Sequence, residues 1–301
     1  MTEFYPQKAA NDITKVLRAA GVAELPVDIK AVAMEISQQK YLDDPISRMR
    51  EANISGFEGS LIPDPAGKKG WGILYNNAVT SRGRVNFTLG HEFGHYLLHR
   101  KAYPKGFQCS TEDMASWESE HAQRENEANI FAATLLMPLD DFRAQIKAKD
   151  HPGFDQLGYC ADRYEVSLMA ATLRWLQYTS RRSMLVVSSD GFIHWARASK
   201  PAFQAGIYYK THGRPPIEVP LQSLAANAEK LAGPNHQADH SSSVWQSRSC
   251  TEHLIVSDQY DFRMSLLHFE DADPRFDDQE EAMEDTATRI RDRNPGQSWL
   301  S

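Results

Sequence analysis

The sequence predicts an α+β protein, helix-rich in its first 180 residues and strand-rich after that. Two observations carry this. Apolar residues recur at helical spacing in several windows before residue 180, and hairpin signals dominate from Met184 onward. No internal repeat is visible. The 301 residues and 34.0 kDa allow two or three domains, each able to bury its own core. With 41% hydrophobic and 24% charged residues, wholesale disorder is excluded. No stretch approaches the ~18 apolar residues of a membrane span. The first ten residues lack the apolar core of a secretory leader. Three cysteines, Cys109, Cys160 and Cys250, with no paired spacing, argue for a reducing compartment, so a cytoplasmic location is expected. A net charge of −7 disfavours whole-surface attraction to nucleic acid or anionic lipid.

Residues 8–20 read as a short amphipathic helix ended by Gly21. Asp28 stands at an N-cap position before Ile29, Val32, Ala33 and Ile36. Residues 56–62 and 71–75 read as a strand hairpin around the turn Pro63-Asp64-Pro65-Ala66-Gly67. Residues 84–100 read as a helix started near Thr88, with Leu89, Phe93, Tyr96 and Leu97 on its apolar side. A second strong helix covers 118–136, with Ala128, Phe131, Ala132 and Leu135 at core spacing, and Met137-Pro138 stops it. A short helix at 139–149 follows, broken by His151-Pro152-Gly153. Residues 154–177 read as two helices around a turn at 164–167, Ser167 capping the second. Strands at 184–187 and 192–195 are joined by the hairpin signal Ser188-Ser189-Asp190-Gly191. Further strands are expected at 243–245 and 252–256, with a polar loop over 231–243. The acidic stretch 270–285 reads as an exposed helix or mobile tail that could hold a basic partner or cover a cleft. The expected division is 1–150, 151–182 and 183–301, the last a mixed α/β unit.

The dominant chemical signal is His91-Glu92-Phe93-Gly94-His95. On a helix, positions i and i+4 stack on one face, so two imidazoles can converge on one tetrahedral ion. Glu92 is not needed as a ligand and is placed to take a proton beside an open metal position. A third ligand is required. His91, His95 and His99 form a column, but i to i+8 spans about 12 Å of helix rise, too far for one ion with ~2 Å bonds. His99 therefore reads as a surface group or a hydrogen-bond partner of a ligand. The next long helix offers Glu125 and Glu127, about 200° apart around its axis. Glu125 shares a face with Ala128, Asn129 and Ala132 and is the choice; Glu127 reads as solvated. Asn129 could accept the second N–H of a ligand histidine.

The run from Arg84 to His99 resembles the ImmA/IrrE family of zinc metallopeptidases, and so does Glu125-Asn126-Glu127-Ala128-Asn129-Ile130-Phe131-Ala132-Ala133-Thr134-Leu135-Leu136-Met137-Pro138. The resemblance covers about the first 140 residues well. It implies a zincin-like metallopeptidase domain with His91, His95 and Glu125 on zinc (or manganese in its place) and Glu92 as the catalytic residue. The E-x-x-x-(D/N) pattern of related enzymes fits Glu125 and Asn129. More weakly, 157–177 resembles the helix-turn-helix-like segment of IrrE-type members, and the remainder would correspond to their GAF-like sensor domain. The resemblance further implies endopeptidase cleavage of a DNA-bound repressor that relieves silencing under stress. A small-molecule or protein signal would then act at the C-terminal domain. The alternative is a regulatory ligand- and protein-binding module whose zinc site is structural or vestigial.

Weaker signals complete the reading. The strand 71–76 either pairs with substrate backbone as an edge strand or is an ordinary internal strand, the two readings being evenly matched. Tyr96, His121, Tyr159 and Tyr164 are candidates to stabilise an oxyanion. Cys109 could close a fourth metal position until oxidised, although an ordinary free cysteine is the commoner case. His236, Asp239 and His240 have metal-like spacing within the expected polar loop. Arg163, Arg174, Arg181 and Arg182 are nearly balanced by Asp155, Asp162 and Glu165, so direct DNA binding is not expected and packing or repressor docking is.

Overall fold

The computed structural model describes residues 5–21, 25–53, 58–64, 70–104, 106, 120–211, 213–233, 235–246, 248–257 and 262–270, with 120–122 as backbone only. Helices α1 (Pro6–Ala19) and α2 (Ile29–Lys40) open the chain. Asp28 caps α2, its side chain accepting from the Ala31 N–H at 3.0 Å. Strands β1 (Ile46–Ala52), β2 (Gly59–Pro63) and β3 (Trp71–Asn76) form a sheet in the order β1-β3-β2. The β2–β3 pair is antiparallel, Leu61 facing Ile73, while β1 runs parallel to β3. Strand β3 is therefore central, the internal strand of the two readings the sequence left open; β1 and β2 are the edges. The polar sequence of β1, with an irregular burial pattern, gives no alternation to read.

Helix α3 (Arg82–Leu98) packs beneath this sheet, and α4 (Glu120–Leu136) packs on α3 and α1. Ser81, not Thr88, starts α3: its side chain accepts from the Arg84 N–H at 3.4 Å. At the other end, buried Arg100 donates to both carboxylate oxygens of Asp44 at 2.8 and 3.2 Å and to the Tyr96 carbonyl at 2.8 Å. Its guanidinium also stacks on Tyr41 and Tyr96. Both ends of the helix that carries the motif are thus fixed.

After α5 (Leu139–Gln145) come α6 (Phe154–Tyr164) and α7 (Leu168–Leu176), the latter capped by Ser167, whose side chain accepts from Ala170 N–H at 3.1 Å. Glu165 makes the turn in the left-handed region, at φ 47°. Strands β4 (Ser183–Ser189), β5 (Phe192–Ala198), β6 (Ile217–Glu218), β7 (Asn235–His240), β8 (Cys250–Val256) and β9 (Arg263–Phe269) form an antiparallel sheet ordered β6-β5-β4-β9-β8-β7. A short helix α8 (Lys200–Gln204) and a 3-10 turn (Ala225–Lys230) lie in its connections. Two expectations are corrected here. Residues 235–240 form β7 rather than part of a loop, because a second strand, β8, is present to satisfy their backbone. Residues 243–245 are a turn rather than a strand, with Trp245 buried.

Strands β4 and β9 are covered on both faces. Leu185, Val187, Met264 and Leu266 join the same core as α1–α7, whereas Met184, Val186, Leu267 and Phe269 join a second core with Trp245 and Ile207. Alternation along each strand sends successive side chains to the two cores. The sheet is thus tied into the helical part rather than tethered to it.

Candidate metal centre

The α3–α4 contact brings the site together. Gly90 and Gly94 on α3 face Ala132 and Ala128 on α4. A Cβ at Gly94 would lie 3.1 Å from Phe131 Cδ1 and 3.2 Å from Ala128 Cα, so the two backbones approach at their small residues. Each glycine costs about 1 kcal/mol in a helix interior relative to alanine. The return is a closeness that lets the short Glu125 side chain reach the histidines.

His91 Nε2 and His95 Nε2 lie 2.9 Å apart. Glu125 Oε2 is 3.1 Å from His91 Nε2, and Glu125 Oε1 is 3.2 Å from His95 Nε2. A tetrahedral ion with ~2.0–2.1 Å bonds needs ligand atoms about 3.3 Å apart. The donor set fits such an ion. His91 Nδ1 is 2.9 Å from Asn129 Oδ1, and that amide oxygen accepts its proton, leaving Nε2 as a bare lone pair. His95 is fully buried, and burial pushes its pKa down to about 4 against the hydrogen bond to Glu125, so its ring is neutral. Burial opposes ionisation of Glu125, but the close approach of His91 and His95 outweighs it and holds the carboxyl below the usual carboxylate range. Neutral rings and an ionised carboxylate are the states a metal takes.

Glu92 does not join this triangle. It is buried, and burial pushes its carboxyl up to about 7, against the lowering effect of His91. Leu61 on β2 gives it a backbone hydrogen bond, while Oε2 is buried with no hydrogen-bond partner among the described residues. Gly59 makes room: a Cβ there would lie 2.5 Å from Thr88 Cγ2 and 3.0 Å from Glu92 Oε1. A half-satisfied carboxylate poised near neutrality beside a metal-fitting triangle can exchange protons.

Residues 47–176 match the family model of the IrrE N-terminal-like domain, peptidase family M78. This stretch, less than half of the chain, is similar to the N-terminal domain of the ImmA/IrrE peptidases. No curated protein matches the chain. The matched stretch runs from β1 through α7, and His91, His95 and Glu125 within it are the single metal-fitting group among the described residues.

The remaining candidates separate. His99 is buried, with Nδ1 3.0 Å from His95 Nδ1 and Nε2 3.0 Å from Glu127 Oε2. Glu127 is therefore not the purely solvated residue expected; its other oxygen accepts from Gln123 Nε2 at 2.9 Å. Sequence distance had hidden this pairing, since 28 residues separate His99 from Glu127. Tyr96 donates to the Asp44 carbonyl at 3.0 Å and Tyr164 to Asp141 at 2.6 Å, so both hydroxyls serve packing; Tyr159 is exposed. Cys109 and the side chain of His121 lie outside the described residues, as does the acidic stretch beyond Glu270. His236, Asp239 and His240 do not converge: they bond the Gly233 carbonyl, Thr251 and Glu252 respectively. Arg163 forks onto Asp141 at 2.9 Å through two nitrogens, and buried Arg174 donates to the Met137 carbonyl. Both arginines hold α6 and α7 to the domain. Cys160 and Cys250 are free and buried. No helix among the described residues is long and apolar enough to cross a membrane.

Proposed function

We propose that the chain is a zinc-dependent endopeptidase, with His91, His95 and Glu125 as ligands and Glu92 as general base. The observation that carries this is the pairing of a metal-fitting triangle with the unpartnered, buried Oε2 of Glu92. When bound, zinc supplies Lewis acidity toward a peptide carbonyl and toward water. Glu92 takes the proton of the attacking water at Oε2 and passes it to the leaving amine. Manganese could replace zinc on the same ligands.

Strand β2 supports an extended peptide as substrate. It is the sheet edge nearest α3, and Leu61 lies against Glu92. A substrate strand added there would run its backbone past the metal. We read the substrate as a repressor protein, the role the family resemblance implies, in a reducing cytoplasm that suits free cysteines. The antiparallel C-terminal sheet serves in this reading as a GAF-like sensor. A cavity of about 500 Å³ at one sheet end, bordered by Phe192, Glu218, Leu221 and Arg263, is of a size for a small signal molecule.

The vestigial-site alternative fares worse, because a structural metal site has no use for a buried carboxylate that ligates nothing. The test is a cleavage assay on the repressor encoded nearest the gene, with Glu92→Gln as control. Zinc retained and cleavage lost in the variant supports the reading. Equal cleavage by both proteins, or none by either with zinc bound, would turn the assignment toward the binding module.

A further inference from the structure

We infer that Glu127 and His99 form a positioning pair that sets the tautomer of His95 and thereby its competence to bind the metal. This rests on the reading of His95 as a ligand and names how that ligand is prepared. The chain of contacts runs Glu127 Oε2, 3.0 Å, His99 Nε2; then His99 Nδ1, 3.0 Å, His95 Nδ1; and finally His95 Nε2 at the triangle.

The proton positions follow in order. A carboxylate oxygen only accepts, so His99 Nε2 carries the hydrogen. A neutral His99 then presents a bare Nδ1, and that nitrogen can only accept from His95 Nδ1–H. That arrangement favours the His95 proton at Nδ1, against the pull of Glu125 Oε1 3.2 Å from Nε2, and so favours the bare Nε2 that a metal needs. Without Glu127 the His99 ring is free to hold its proton on Nδ1. That would force His95 to protonate Nε2, facing the ligand triangle with an N–H in place of a lone pair.

The two ligand histidines show why the second is built this way. Asn129 reaches His91 directly from α4 and accepts with an amide oxygen, which has one role only. His95 is fully buried on α3, and its Nδ1 is met by His99, one turn further along. A histidine in that place is ambiguous between donor and acceptor. The carboxylate on α4 removes the ambiguity.

The test uses the full-length protein and zinc affinity measured against a chromophoric chelator. Glu127→Gln should weaken zinc 10- to 100-fold, because its amide can donate to His99 and reverse the chain. His99→Asn puts an amide oxygen where His99 Nδ1 stands and should keep near-normal affinity. In that background Glu127→Gln should become silent. A purely structural role for Glu127 would instead cost the same zinc affinity in both backgrounds. Zinc affinity within twofold of wild type in Glu127→Gln, or an equal loss in the His99→Asn background, overturns the pair while leaving the ligand set standing. A wild-type protein that binds no zinc overturns both.

Discussion

Two buried glutamates sit in the two halves of this protein under opposite conditions. Glu252, on the C-terminal sheet, is fully buried and fully engaged. It accepts from Leu224 N–H at 3.0 Å, Ala225 N–H at 3.3 Å, Trp245 Nε1 at 3.0 Å and Ser265 Oγ at 2.7 Å, and pairs with His240 Nε2 at 2.7 Å. Glu92, on the motif helix, is almost as buried, yet Oε2 has no partner. The difference separates architecture from chemistry. A carboxylate whose lone pairs are all occupied fixes the strands and turns that feed it. One left half-satisfied is costly to the fold and useful to a reaction.

Exchanging each residue should break the comparison in opposite ways. Glu92→Gln should lower peptide cleavage by about 10²–10⁴-fold without lowering the unfolding midpoint, as read by assay and melt. Glu252→Ala should do the reverse, destabilising the chain by about 3–5 kcal/mol in denaturant titration while zinc affinity stays unchanged, because His240 and four buried or half-buried donors lose their acceptor. If Glu92→Gln destabilised as much as Glu252→Ala, the distinction would fail.

The helix contact sharpens the same contrast. Gly94→Val should force α3 and α4 apart at Ala128 and Phe131, costing about 1–3 kcal/mol and most of the zinc affinity together. Retention of tight zinc binding would show that close approach is not what brings Glu125 to the histidines.

The seam between the halves should respond to acid. His268 bonds Ser183 Oγ at 2.9 Å and the Pro152 carbonyl at 3.1 Å, and burial pushes its pKa down to about 3. At neutral pH both folded and unfolded forms are neutral and this residue contributes no pH dependence. Below about 6.5 the unfolded chain takes up a proton that the folded one refuses, so stability falls by about 1.4 kcal/mol per pH unit down to about 3. His268→Gln should flatten that slope between pH 6 and 4 in thermal melts. His151 and His253 pack against the same ring, with His253 also lowered by burial, so some slope should persist.

The metal triangle was legible because its signals are local or helical. The i, i+4 histidines need only the helix period, and the choice of Glu125 needed only the face it shares with Ala128 and Ala132. The caps Asp28 and Ser167 were likewise readable. The Glu252 network was not, since its donors come from four separate segments that only the sheet order unites. The Glu127–His99 contact escaped for the same reason: it crosses two helices. Strand β9 carried a readable apolar run, Met264, Leu266, Leu267 and Phe269, that was passed over. Whether β3 is an edge or an internal strand stayed open in the sequence, because its partner β1 has no strand-like alternation.

The central claim meets its most direct test in anomalous X-ray diffraction at the zinc edge, on crystals of the wild-type protein grown with zinc. The expected result is one peak bonded to His91 Nε2, His95 Nε2 and Glu125, with Glu92 unbonded beside it. A peak on His99 and Glu127 instead, or none at the triangle despite zinc in the medium, would contradict it.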